Sequence, residues 1–136
     1  MYKLTVFIVF IFTMTTFTSI AQKMTPKQIV QENLDFYNNR DIDGFMSSFS
    51  KDIKIYNHGE SKATIVGFNE VKEVYLDLFK NSPKLHSTIL KRIVIGNKVI
   101  DHESITGRNG NKEVLELVLI YEVKDDKIFR ITVIRK

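Results

Sequence analysis

Three histidines and a short run of acids are the residues of this chain whose types could do chemistry. His58 follows a strand-like stretch, in a loop; an imidazole there titrates near neutrality and could serve as a general base, or could be an exposed loop histidine. His102 falls in the middle of a β-branched run, as either a pocket-lining acid/base or a core histidine satisfied by a hydrogen bond. His86, just past a helical stretch, reads as surface. Asp101 and Glu103 alternate along the same run as His102, and two carboxylates at that spacing could divide the roles of acid and base or bind a metal. The structural alternative is that Arg92 pairs with Asp101 across a hairpin while Glu103 meets solvent or a partner chain. A metal site from His58, His102 and a carboxylate has no ligand spacing behind it, so no metal is expected. The chain has no cysteine, which excludes disulfides, thiol catalysis and thiolate metal sites. It also carries no glycine-rich phosphate loop, no Ser/His/Asp order and no cofactor fingerprint, so no cofactor is expected.

The 136 residues leave room for one domain. A composition of 43% hydrophobic and 26% charged residues is that of a folded globular chain. The formal charge of +4 includes Lys3. The remaining excess is scattered among acids, as in Lys124-Asp125-Asp126-Lys127, so no phosphate-tracking stripe forms and nucleic acid is not an expected partner.

Residues 1–21 are expected to be a secretory signal peptide. Lys3 supplies the positive start, Leu4 to Phe12 the apolar run, and Ser19-Ile20-Ala21 the small residues before a cleavage ahead of Gln22. A retained anchor is the alternative, but five threonines and a serine weaken a stretch already near the lower length for spanning a bilayer. The expected product is exported, periplasmic or secreted, with no stable membrane anchor after cleavage.

Residues 22–136 must position the chemistry. Thr25-Pro26 opens a helix that runs with helical apolar spacing to about Arg40. Asp41-Ile42-Asp43-Gly44 starts a short second helix. Asp52 to Tyr56 alternates as a strand, and Gly67 to Ser82 carries a long helix ended by Pro83. Four β-branched runs follow, Leu85–Ile95, Lys98–Thr106, Glu113–Val123 and Lys127–Arg135, joined by turn signals. The fold class is α+β: helices packed on a mainly antiparallel meander. A two-residue turn at Asn109-Gly110 would set His102 opposite Leu117, and Ile100 opposite Leu119. The inner face then holds Ile93, Ile100, His102, Leu115, Leu117, Leu119 and Tyr121, and the outer one Arg92, Val94, Asp101, Glu103, Glu116, Val118, Ile120, Ile131 and Val133. A slip of one residue reverses this and makes Asp101 and Glu103 the pocket groups. Both faces are largely apolar, so a partner subunit could cover the one the helices leave. Tyr37, Tyr56 and Tyr75 could aim hydroxyls into a cavity.

The segments Tyr37 to Phe45, Phe49 to Asn57, Gly67 to Val71, Ile95 to Glu103 and Ile120 to Val123, in this order and spacing, resemble the nuclear transport factor 2-like superfamily, in its SnoaL-like and ketosteroid-isomerase-like branch. The resemblance covers nearly all of residues 22–136. It implies two to three N-terminal helices closed as a cone against a strongly curved sheet, a pocket inside, and homodimers through the sheet's outer face. It also places Asn33, Asn57 and Leu119, or a neighbour of the last, where that branch keeps its tyrosine, its aspartate base and its buried acid. An amide cannot abstract a proton and a leucine cannot stabilise an enolate, so that isomerase mechanism is not expected. The expected pocket is Asn33, Tyr37, Tyr56, Asn57, Leu117, Leu119 and Tyr121. The first reading of function is capture of a small apolar or amphipathic molecule. The second is an enzyme of the cyclase, isomerase or dehydratase kind with His58 or His102 as acid/base, and the third a dimerising domain without a ligand.

Overall fold

Thr25 caps the first helix as the sequence requires: its side chain accepts from the Gln28 amide while Gln28 reaches back to the Thr25 amide, closing a capping box. Such a cap stabilises a helix by about 1 kcal/mol. The computed structural model describes residues 21–136, and the expected leader, apart from Ala21, lies outside the described residues. Helix α1 runs Pro26–Asn39 and buries Ile29, Val30, Asn33, Leu34 and Tyr37. Arg40 ends it in the left-handed conformation, and Asp41 caps α2, Ile42–Ser47, by accepting from the Gly44 amide. Gly44 is required by contact: a Cβ there would lie 2.2 Å from the Phe36 ring.

Strand β1 spans Phe49–Asn57, β2 is the short Ile65–Val66, and α3 spans Phe68–Asn81. The meander follows as β3 (His86–Ile95), β4 (Lys98–Thr106), β5 (Leu115–Lys124) and β6 (Lys127–Arg135), with a 3-10 turn, Arg108–Gly110, between β4 and β5. The six strands form one sheet in the order β2-β1-β6-β5-β4-β3, antiparallel except where β1 lies parallel to β6. Bulges interrupt the pairings of β1, β3 and β5, and bulges of this kind bend a sheet. The three helices pack on one face of that curved sheet. The core between them centres on Val30, Phe45, Ile53, Val71, Val99 and Ile128.

Three expectations need correction. The stretch before α3 contains strand β2, too short to announce itself by alternation. The β4–β5 pairing sets His102 opposite Val118 and Glu103 opposite Leu117, one residue from the expected register. The cause is the connection: residues 107–114 replace the expected two-residue turn. Asp101 and Glu103 therefore face inward between the buried Val99 and Ile105, and His102, with Ile93 and Ile100 expected inside, faces outward. Ile131 and Val133, expected outside, point inward with them and are 4% and 7% exposed. The β3–β4 register is as expected, with Arg92 opposite Asp101.

Candidate functional site

Glu103 is fixed by a chain of polar contacts that begins on α1. The Asn38 side chain accepts from the Ser87 amide at 2.7 Å and donates to the Ser87 carbonyl at 2.9 Å, so the end of α1 clasps the start of β3. The Ser87 hydroxyl then donates to Glu103 Oε2 at 2.7 Å, and the Tyr121 hydroxyl donates to Oε1 at 3.3 Å. Glu103 is only 2% exposed. Desolvation pushes its pKa up, with the nearby Asp101 adding to this, while the two hydroxyl donors pull against it. Burial and then Glu103 likewise push the Tyr121 hydroxyl well above its usual value. The result is a carboxyl group biased toward its neutral form inside an apolar sheet face.

Asp101, two residues away and fully buried, has a different fate. Arg92 grips it with two parallel bonds, Nε to Oδ1 at 2.6 Å and Nη2 to Oδ2 at 2.7 Å. The third guanidinium arm donates to Gln31 on α1 at 2.8 Å. A buried carboxylate with this bidentate partner is a structural ion pair that ties helix to sheet.

The concave face encloses a cavity of about 120 Å³. Three cross-strand rows build its sheet wall: Glu103-Leu117-Arg135, Asp101-Leu119-Val133 and Val99-Tyr121-Ile131. Leu117, Leu119, Tyr121, Ile131 and Val133 line it, while Asp101 and Val99 do not. The helices contribute Asn33, Tyr37, Tyr75 and Leu78. Asn33 donates to the Phe45 carbonyl at 3.1 Å. Tyr37 packs edge-on against Phe79, with ring centres 5.6 Å apart, while Phe45 and Tyr75 lie 4.5 Å apart. The Tyr37 hydroxyl is buried and, among the described residues, has no hydrogen-bond partner. Desolvation raises its pKa, Tyr75 adds to the rise, and the charge of Arg108 opposes it. An orphaned hydroxyl in a cavity wall is costly and marks a place where a ligand could supply the missing acceptor.

The mouth is marked by exposed lining residues, among them Thr64, Val74 and Arg135. Arg108 comes from the 3-10 turn, and its position is enforced. Gly107 has φ 71° and packs so closely that a Cβ would lie 2.3 Å from the Lys84 carbonyl. The Asn109 amide donates to the buried Ser82 hydroxyl at 2.8 Å. Arg135 closes β6, and its guanidinium donates to Asn57 Oδ1.

Of the residues expected at the site, Asn33, Tyr37, Asn57, Leu117, Leu119 and Tyr121 line this cavity. Tyr56 does not; it lies beneath the Arg130 guanidinium, 4.2 Å from its ring centre. His58 is exposed and lies outside the lining. His102 bonds Glu116 at 2.6 Å on the outer sheet face and does not reach the cavity. Glu103 is in the lining as the shifted register requires. Arg108 and Arg135 escaped the sequence reading because nothing local marks a turn arginine or a terminal strand arginine as converging on one cavity. Among the described residues no group of three His, Cys, Asp or Glu side chains stands together as a metal site.

The sequence pattern of the SnoaL-like domain matches residues 30–131, and the chain belongs to that family. Among curated proteins no relative matches in sequence. Solved structures share the fold. A cystatin-fold protein from Novosphingobium aromaticivorans is 22% identical, with a TM-score of 0.75 over 82% of this chain and 99% of its own. A nuclear transport factor 2-like protein from Cytophaga hutchinsonii is 14% identical, with a TM-score of 0.70 over 86% of this chain and 95% of its own. A protein from Jannaschia sp., provisionally described as a SnoaL-like polyketide cyclase, is 16% identical, with a TM-score of 0.67 over 79% of this chain and 83% of its own.

Proposed function

We propose that this SnoaL-like domain is exported and binds one small, largely apolar molecule in its cone. The cavity carries the reading: apolar walls, a neutral-leaning Glu103 held by Ser87 and Tyr121, and the unpartnered Tyr37 hydroxyl. Few precisely placed polar groups in an apolar concavity are the usual make-up of a small-molecule site. Its volume suits about one ring, since a dry cavity of roughly 150 Å³ accepts benzene. Export is supported by the charge, apolar run and small residues of positions 1–21. A homodimer through the outer sheet face is supported by half-buried Ile100, Val118, Ile120 and Ile134 on a face that, among the described residues, no helix covers.

One observation favours a second reading, an enzyme. A buried carboxyl whose pKa is raised holds its proton more tightly and could pass it to a ligand oxygen, which makes Glu103 the candidate acid, with Tyr121 beside it. The histidines stand outside the cavity, so the acid/base role passes from them to Glu103.

Native mass spectrometry of the protein purified gently from its own cell envelope tests the reading in one spectrum. It should show a chain beginning at Gln22, in pairs, carrying a bound mass of a few hundred daltons or less. A protein that retains Met1, or that is monomeric and carries nothing when isolated under conditions that keep weak ligands bound, would contradict the corresponding part.

A further inference from the structure

We propose that the ligand is a small organic anion, an aryl or short-chain carboxylate whose apolar body lies against Leu117, Leu119 and Val133 and whose carboxylate is held at the mouth by Arg108 and Arg135. This rests on the small-molecule reading above and adds a charge to the ligand.

Both guanidinium groups line the same cavity, and neither has a carboxylate within ion-pair distance among the described residues. The contrast with Arg92 is instructive, since that inward arginine is fully engaged by Asp101 and Gln31. Arg135 is held by Asn57 Oδ1, and the Asn57 amide in turn donates weakly to the exposed Glu60 carboxylate at 3.3 and 3.4 Å. That arrangement orients the guanidinium without neutralising it by direct contact. The backbone on either side of Arg108 is fixed by the Gly107 approach to Lys84 and by the bond from the Asn109 amide to Ser82.

Arg108 and Arg135 share the cavity lining with Tyr37 and Tyr75. Both arginines act electrostatically on the hydroxyl of Tyr75, and Arg108 acts on that of Tyr37 as well. Guanidinium is suited to planar, two-point recognition of a carboxylate, and a neighbouring hydroxyl without an acceptor completes such a site. Among the described lining residues Glu103 is the one carboxyl group, and its oxygens accept from Ser87 and Tyr121 rather than from either arginine. An apolar wall with cations at one end selects an amphipathic anion over a neutral hydrocarbon of the same shape.

Methyl NMR titrations with benzene, phenylacetate and phenylacetamide separate the charge from the apolar contact. Phenylacetate and phenylacetamide are close in shape and differ in charge. At low salt and neutral pH, phenylacetate should bind at least about tenfold more tightly than phenylacetamide, the order expected when charge-assisted bonds replace neutral ones. The Arg108→Gln/Arg135→Gln double variant should bring that ratio to about one while benzene binding persists. Raising the salt should shrink the ratio in the unaltered protein, a reading that needs no substitution. Equal binding of the two probes, or a preference that survives the double variant or high salt, overturns the proposal. Binding of benzene without phenylacetate overturns it while leaving the apolar-ligand reading in place. Failure of benzene and phenylacetate alike overturns both.

Discussion

Glu103 donates or withholds a proton according to a balance that its neighbours set. The Ser87 and Tyr121 hydroxyls favour the carboxylate, and burial at 2% exposure favours the acid, with burial the larger effect. A folded-state pKa raised above the unfolded value means that the folded chain binds the proton more tightly. Stability from this group is therefore present below its usual pKa of 4.5 and is lost as pH rises through the folded value. Urea unfolding of wild type and Glu103→Gln across that range should show the wild-type midpoint falling with pH relative to the variant. A difference between the two that stays constant with pH would show that Glu103 titrates normally. Part of this was legible: the two acids had to share a face, and a slip of one residue makes them the pocket groups, which is the register the sheet adopts. The Arg92–Asp101 pair was legible too, as the structural alternative, but the setting of Glu103 was not, because it depends on Ser87, held by Asn38, reaching it from β3.

At the level of elements, the helices were plain in the sequence because their signals are local. Thr25-Pro26, the Asp41 cap and the Gly67 to Pro83 limits each describe a few neighbouring residues, and the helices begin and end there. Strand register is a long-range quantity fixed by a connection, and the Asn109-Gly110 signal suggested a hairpin where the chain instead makes a 3-10 turn. One residue of shift moved His102 out and Glu103 in. That turn is held by Gly107, and the two glycines flanking Arg108 provide the comparison. Both have positive φ, 71° at Gly107 and 73° at Gly110, but only Gly107 has backbone against the space of a Cβ. Gly107→Ala should lower stability in denaturant unfolding by about 1–3 kcal/mol, and Gly110→Ala by clearly less. Equal losses at both positions would mean that the Lys84 contact does not hold the turn.

For the whole molecule, the curved sheet does two things with one set of strands. Its inner face shapes the cavity, and its outer face carries Ile93, Ile100, Val118, Ile120 and Ile134, with His102 and Glu116 paired among them. Membership of the SnoaL-like family accounts for the cone, and solved structures only 14% and 22% identical share its form. The family does not name the ligand. Composition and periodicity could announce helices, strands and an apolar interior, but a cavity is the space left by all of them together, and no segment encodes it. The central claim is that this space is the binding site. Isotope-filtered nuclear Overhauser spectra of the protein saturated with benzene test it directly. The account predicts contacts from benzene to the methyls of Leu117, Leu119, Ile131 and Val133, and none to Ile100, Val118 or Ile134. Contacts confined to the outer-face methyls, or none at saturation, would contradict it.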